Sequence, residues 1–175
     1  MSTSELSLRP IREADMDFLG HLYASTRADE MLHSGWDAAA IATFLEHQFD
    51  TQHRYYQTHF PDAEFLLIER GGQAVGRLYL LWEASNLKII DIALLPSLRG
   101  QGMGSALLHD LIVRADMVGL SIGLHVESYN PAQHLYQRLG FEIMDENGVY
   151  LRMQRPPHPT ATPLSNQASA QTAVQ

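Results

Sequence analysis

Apolar residues along this chain change their spacing several times, and each change marks a boundary. Leu6-Ser7-Leu8-Arg9-Pro10-Ile11 alternates like a short strand, ended by Pro10 and a polar turn. Met16, Leu19, Leu22 and Tyr23 then recur at helical spacing, which predicts an amphipathic helix from Asp15 to about Thr26. Arg27 to Trp36 shows no clear period and reads as a loop. Asp37 has the chemistry of an N-cap for a longer helix, Ala38 to about Thr58, with Ile41, Phe44, Leu45, Phe49, Gln52 and Tyr56 along one side.

Alternation returns at Phe65–Glu69, and Gly71-Gly72 turns the chain into a partner strand, Gln73–Trp82. Ser85-Asn86 makes the next turn into a strand over Leu87–Leu95. Strict alternation there puts Ile89, Asp91 and Ala93 on one face and Ile90, Ile92 and Leu94 on the other. A glycine loop then opens a long apolar helix. Ser121–Glu127 is a short strand whose Ile122, Leu124 and Val126 share a face, leaving His125 and Glu127 on the opposite one. Asn130 and Pro131 start a further helix that Gly140 stops. Asn147-Gly148 is the strongest hairpin signal, joining Phe141–Asp145 to Val149–Met153. The order βααβββαβαββ predicts an α+β fold: a mixed, mostly antiparallel sheet with flanking helices.

Residues 156–175 contain no Asp, Glu, Lys, Arg or aromatic side chain. They have too little apolar surface to offset the entropy of ordering, so one domain over 1–155 and a disordered tail are expected. With 175 residues, 45% of them hydrophobic, the chain can bury a real core. Cysteine is absent, which excludes disulfides, thiolate metal ligands and a covalent cysteine intermediate. The net charge of −8 disfavours nucleic acid, whose phosphates need clustered Lys and Arg, and mildly favours a cationic acceptor. Met1-Ser2-Thr3-Ser4-Glu5 is no signal-peptide start, and no apolar run approaches membrane-spanning length. A soluble, cytoplasmic protein is expected. His47, His53 and His59 are six apart on one helix and share no face, so no metal site is expected.

The stretch with the most chemistry is Arg99-Gly100-Gln101-Gly102-Met103-Gly104, where a strand feeds a helix N-terminus through glycines. The first N–H groups of a helix lack intrahelical partners, its dipole is positive there, and glycines let the backbone approach a phosphate. No Gly-Lys-Ser/Thr closes the loop, and its spacing is not Gly-x-Gly-x-x-Gly. A dinucleotide site with Glu127 as the ribose acid is therefore the weaker alternative. The loop fits Arg-x-x-Gly-x-Gly. IDIALLPSLRGQGMGSALL, followed by LHVESYNPAQHLYQRLGF from Leu124 to Phe141, resembles the acetyl-CoA-binding signature of the GCN5-related N-acetyltransferase superfamily.

That resemblance implies a GNAT fold and an acetyl-CoA-dependent transfer of acetyl to a primary amine without a covalent enzyme intermediate. It implies that Arg99, Gly100, Gln101, Gly102, Met103 and Gly104 cradle the pyrophosphate. The strands Leu87–Leu95 and Ser121–Glu127 would splay around the pantetheine arm. Backbone groups near Ala93 and Leu94 would bond its amides and polarise the thioester carbonyl, where amine attack develops an oxyanion. Asn130, also a natural helix cap, would lie near the CoA arm, and Tyr136 would protonate the departing thiolate. Base candidates are His125, Asp91, Glu127 and Glu83. In the family branch acting on protein N-termini, a glutamate base takes the place of His125. The helix after Asp37 would form part of the acceptor wall, with Trp36, Asp37, Tyr55 and Tyr56 bordering the pocket. Expected partners are a CoA thioester and a small-molecule or peptide amine acceptor, with no nucleic acid and no membrane; a homodimer is allowed for. A catalytically silent acyl-CoA-binding or sensory module on the same fold is the alternative.

Overall fold

In the computed structural model, which describes residues 6–159, seven strands form one sheet. They are β1 (Leu6–Pro10), β2 (Glu64–Arg70), β3 (Gln73–Trp82), β4 (Asn86–Leu94), β5 (Ser121–Glu127), β6 (Glu142–Asn147) and β7 (Tyr150–Arg155). Their spatial order is β1-β2-β3-β4-β5-β7-β6. Tight turns explain most of it. Gly71 and Gly72 both have positive φ, 58° and 78°, as a two-residue hairpin between β2 and β3 demands. The single parallel neighbour pair is β4 with β5, and a parallel pair needs a crossover. Helix α3 (Met103–Met117) supplies it.

The sheet is covered unequally. α3 and α4 (Ala132–Arg138) close one face over a core that includes Leu78, Leu80, Leu87, Ile89, Leu108, Leu111, Ile122, Leu124 and Met153. On the other face, α1 (Met16–Leu32) and α2 (Ala38–His59) pack Leu19, Tyr23, Leu45 and Phe49 around Leu67 of β2. The Asp37 carboxylate accepts from the Ala40 N–H at 2.8 Å, the cap expected for α2.

Several boundaries differ from expectation, and the last hairpin turns at Gly148-Val149, because β6 runs on to Asn147 and β7 starts at Tyr150. α1 continues to Leu32, through residues read above as a loop. Arg27 pairs with Glu30 one turn on at 2.9 Å and reaches Gln48 of α2 at 3.0 Å, and Met31 is buried in the helix–helix core. β7 runs on to Arg155, which is 5% exposed. Its guanidinium forks onto Asp116 at 2.8 and 3.1 Å, and its Nε donates to the Leu139 carbonyl at 3.1 Å. The His158 N–H also donates to Asp116, so the chain just after β7 is tied to α3. The expected disordered tail otherwise falls on 160–175, outside the described residues. Among the described residues, no helix is long and apolar enough to cross a membrane.

This tie is pH-sensitive with a definite sign. Hydrogen bonds from Arg155, opposed by burial, hold the Asp116 carboxyl below the usual carboxylate range. Its stabilisation is therefore complete above the unfolded value of about 3.9 and is lost as pH falls through the lower folded value. Arg155→Met strands a nearly buried carboxylate and is expected to lower stability by about 3 kcal/mol at pH 7. Urea unfolding should show that deficit narrowing once the pH drops below about 3.9.

Candidate active site

The site begins with a fault in β4. Tyr79 lies opposite Asp91 but Leu80 lies opposite Ile89, so Ile90 is an extra residue, a β-bulge. The bulge reverses the strand's phase. Ile89 joins Ile92 and Leu94 on the α3 side, while Asp91 and Ala93 face the α2 side beside Tyr79 and Arg77. The uniform alternation expected across Ile89, Asp91 and Ala93 is thereby corrected.

The β4–β5 ladder ends at the pair Ile89–Leu124, immediately before the bulge. Beyond it β4 pairs only with β3, and β5 only with β7, so a gap opens between them. The Leu95 N–H donates to the Val75 carbonyl at 2.9 Å. Antiparallel alternation then turns the backbone groups of Ala93 toward β3 and those of Ile92 and Leu94 into the gap. Gly76 agrees with this direction, since a Cβ there would run into the Ala93 carbonyl. The open edge thus consists of Ile92 and Leu94, not Ala93. The Leu94 carbonyl accepts from Arg99 Nε at 3.2 Å.

The glycine loop closes one end of the gap. Gly100 and Gly102 adopt φ of 74° and 83°, and a Cβ on either would meet no atom within 4 Å. Gly102 occupies the N-cap of α3 without a side-chain cap, and the first intrahelical bond runs from the Ala106 N–H to its carbonyl at 3.0 Å. The N–H groups of the first turn are left to whatever enters this open space. Met103 buries its side chain in the core, so only its backbone is available, and Gln101 is folded back onto the Ser97 carbonyl at 2.9 Å.

Tyr136 belongs to α4, on the face of the sheet that α3 and α4 cover. Its ring is buried, 5.7 Å from that of Phe141. Burial, then the negative charges of Asp91 and Glu127, push the hydroxyl up to about 12. Tyr136 is therefore within electrostatic reach of one carboxylate on each of the splayed strands.

A strand pair that parts at a bulge beside a glycine loop can now be set against known proteins. Residues 29–141 match the acetyltransferase (GNAT) family model. The chain belongs to the GNAT acetyltransferase family. A protein of Bacillus subtilis strain 168, provisionally named a ribosomal protein bS18-alanine N-acetyltransferase, is 32% identical over 85 residues. That match spans 47% of this chain and 56% of the relative, little more than half the relative's length. Among solved structures, the PaiA N-acetyltransferase of Thermoplasma acidophilum in complex with coenzyme A aligns with a TM-score of 0.64 at 17% identity, over 89% of this chain and 99% of that one. Ard1 of Thermoplasma volcanium aligns with a TM-score of 0.58 at 16% identity, over 88% and 99% of the two chains.

Within this GNAT frame the remaining residues separate clearly. His125 is the first residue of β5 past the end of the β4 ladder, exposed on the α2 side. Burial, then the charges of Lys88 and Arg152, lower its pKa. Asp91 is bound to Arg77, which also donates to Gln52 of α2 at 2.9 Å. Burial works against the Arg77 charge, but Asp91, Tyr79 and Tyr56 outweigh it and raise its pKa. Asn130 is engaged locally: its side-chain oxygen accepts from the Ala132 N–H at the start of α4 at 2.9 Å, and its amide donates to Glu127 at 3.3 Å. Glu83 sits in the β3–β4 turn, at the paired end of the strands and away from the gap. Tyr56 packs edge-on against Tyr79 at 5.9 Å beside Asp91, whereas Trp36 and Tyr55 are exposed elsewhere on α2 and its approach. Arg77 escaped the sequence analysis. Its signal was there, a lone cation in the apolar run Val75-Gly76-Arg77-Leu78-Tyr79-Leu80, where a buried charge requires a partner.

Proposed function

We propose that this chain is an acetyl-CoA-dependent N-acetyltransferase that passes acetyl directly to a primary amine. The observation that carries this reading is the open backbone edge of Ile92 and Leu94, set across the gap from β5 and ended by an uncapped glycine loop. A pantetheine amide is matched by strand N–H and C=O groups that no neighbouring strand takes up, and a pyrophosphate by bare N–H groups at a helix start. The open space before Gly100 and Gly102 leaves room for it. Leu94, Arg99, Gly100, Gly102, Met103 and Gly104 would hold CoA in this way, the last four through backbone. When bound, acetyl-CoA supplies the thioester that an amine converts to an amide.

The residues on this chain divide the protons. An acceptor ammonium, with a reference pKa near ~10.4 for lysine or ~7.7–8.0 for an α-amine, must lose a proton before attack. His125 Nδ1 or Nε2 takes that proton, directly or through one water, because burial, then Lys88 and Arg152, favour its neutral form. Tyr136 Oη gives its proton to the departing sulfur. Burial, then the charges of Asp91 and Glu127, keep that proton on Tyr136 until a thiolate forms beside it.

Acetyl-CoA turnover against small amines, amino acids, polyamines, aminoglycosides and peptide N-termini tests this reading. CoA binding without turnover on the whole panel would favour a silent binding module. His125→Ala is expected to lower turnover most near neutrality and to erase an acidic limb lying below the reference value of ~6.5. A variant that keeps its rate and its acidic limb would shift the base to Glu127 or a water chain.

A further inference from the structure

Lys88 of β4 lies beside Gly123 of β5, and His125 lies opposite Arg152 of β7. Neighbours across a ladder share a face, so these side chains stand together on the sheet surface away from α3. The opposite face takes Leu87, Ile122, Leu124, Leu151 and Met153 into the core. α1 and α2 bury their apolar faces around Leu67 and Ala74, on β2 and the start of β3, and leave this patch accessible at Lys88, His125 and Arg152.

Neither Lys88 nor Arg152 enters an ion pair among the described residues. They thus set two positive charges beside the candidate base in a chain whose net charge is −8. Carboxylates are near: Glu127 follows His125 on the same face, and Asp145 is the cross-strand neighbour of Arg152. Both leave the cations unpaired, and Asp91 is committed to Arg77. Lys88 Nζ sits 5.0 Å from the centre of the Phe60 ring, so the end of α2 walls the patch. Gly123, between Lys88 and Gln154 in the ladder, contributes no side chain, and the Asn86 amide lies 3.5 Å from where its Cβ would stand.

We propose that Lys88 and Arg152 bind a carboxylate on the acceptor, so that the amine acetylated belongs to a small amino acid with its acid group a few bonds away. This rests on the transferase reading above and narrows its substrate class. The cations hold the acid, and the amine, tethered to it, is delivered to His125 at the fork of the gap. The local charge thus inverts the preference for a cationic acceptor that the net charge suggested. A polyamine would meet Lys88 and Arg152 as like charges.

The test compares free α-amino acids with their carboxamides at equal concentrations of neutral amine, since the free carboxylate also raises the pKa of the adjacent ammonium. The acid is expected to be preferred in kcat/KM by about tenfold or more, the contribution of a charged hydrogen bond. In Lys88→Met/Arg152→Met that preference should collapse to about one, while Lys88→Arg keeps it. Equal use of acid and carboxamide by the parent would overturn the proposal, as would a preference that survives in the double variant. If no amine at all is acetylated, the transferase reading fails and the carboxylate site is judged by binding. N-acetylalanine, unlike N-acetylalaninamide, must then raise the His125 pKa followed by ring-proton NMR, because it screens Lys88 and Arg152. No rise with either compound overturns the site as well.

Discussion

Gly104→Glu is expected to remove CoA binding and to leave a folded protein. Gly104 lies in the first turn of α3, its φ is not positive, and an added Cβ would touch only Leu94 Cδ1 at 3.9 Å. The backbone therefore accepts a side chain without strain, and replacing glycine inside a helix gains up to about 1 kcal/mol. The new carboxylate, however, stands where the bare N–H groups await a phosphate. It occupies the space, takes the positive helix terminus for itself and repels the ligand. Losing two charge-assisted hydrogen bonds alone is worth about a hundredfold in affinity or more. Gly102→Glu confounds the same test, because a φ of 83° penalises any side chain there. Calorimetric titration of CoA alongside a thermal melt checks both halves. Parental affinity in a folded Gly104→Glu protein would move the pyrophosphate elsewhere and withdraw the cofactor assignment.

The element order was legible because the turns are chemically explicit. Gly71-Gly72, Gly148, Asp37 and Gly140 each impose a local geometry that few other residues tolerate, although Asn147 itself stays in β6. Residues 27–32 were not, because Ala24, Ser25 and Thr26 interrupt the apolar period before Met31 restores it. What holds that turn helical is partly tertiary, Arg27 against Gln48. The bulge at Ile90 is a harder case. Ile89-Ile90-Asp91-Ile92 suits a strand at every position, and nothing local marks which isoleucine is extra. Register is set by pairing with β3 across a short hairpin and with β5 beyond a crossover helix, and a slip of one residue exchanges faces. The same long-range pairing hid the site's charge distribution. Lys88, His125 and Arg152 lie far apart in the chain and meet only through the parallel register of β4 on β5 and the antiparallel register of β5 on β7. Arg77 and Asp91 likewise become one unit only across the β3–β4 ladder.

Tyr136→Phe is expected to lower turnover by ~10²–10⁴-fold, the usual contribution of a general acid. The substitution removes one oxygen and keeps the ring that packs on Phe141, so the fold and the shape of the gap should persist. The parent hydroxyl is pushed up to about 12 by burial and then by Asp91 and Glu127. It is consequently protonated throughout any practical assay range, and its own titration adds no basic limb there. Loss of the hydroxyl should thus depress the rate by a similar factor at every pH, in contrast to His125→Ala, whose effect concentrates near neutrality. CoA affinity should change little, because the loop and the β4 edge are untouched. The contrast between the two profiles is the informative result: one group supplies a proton it always holds, the other accepts a proton only while neutral. If Tyr136→Phe turns over at the parental rate, Tyr136 is a core aromatic and the thiolate leaves without its help. If instead the rate falls but CoA affinity falls equally, the hydroxyl serves binding and not proton transfer.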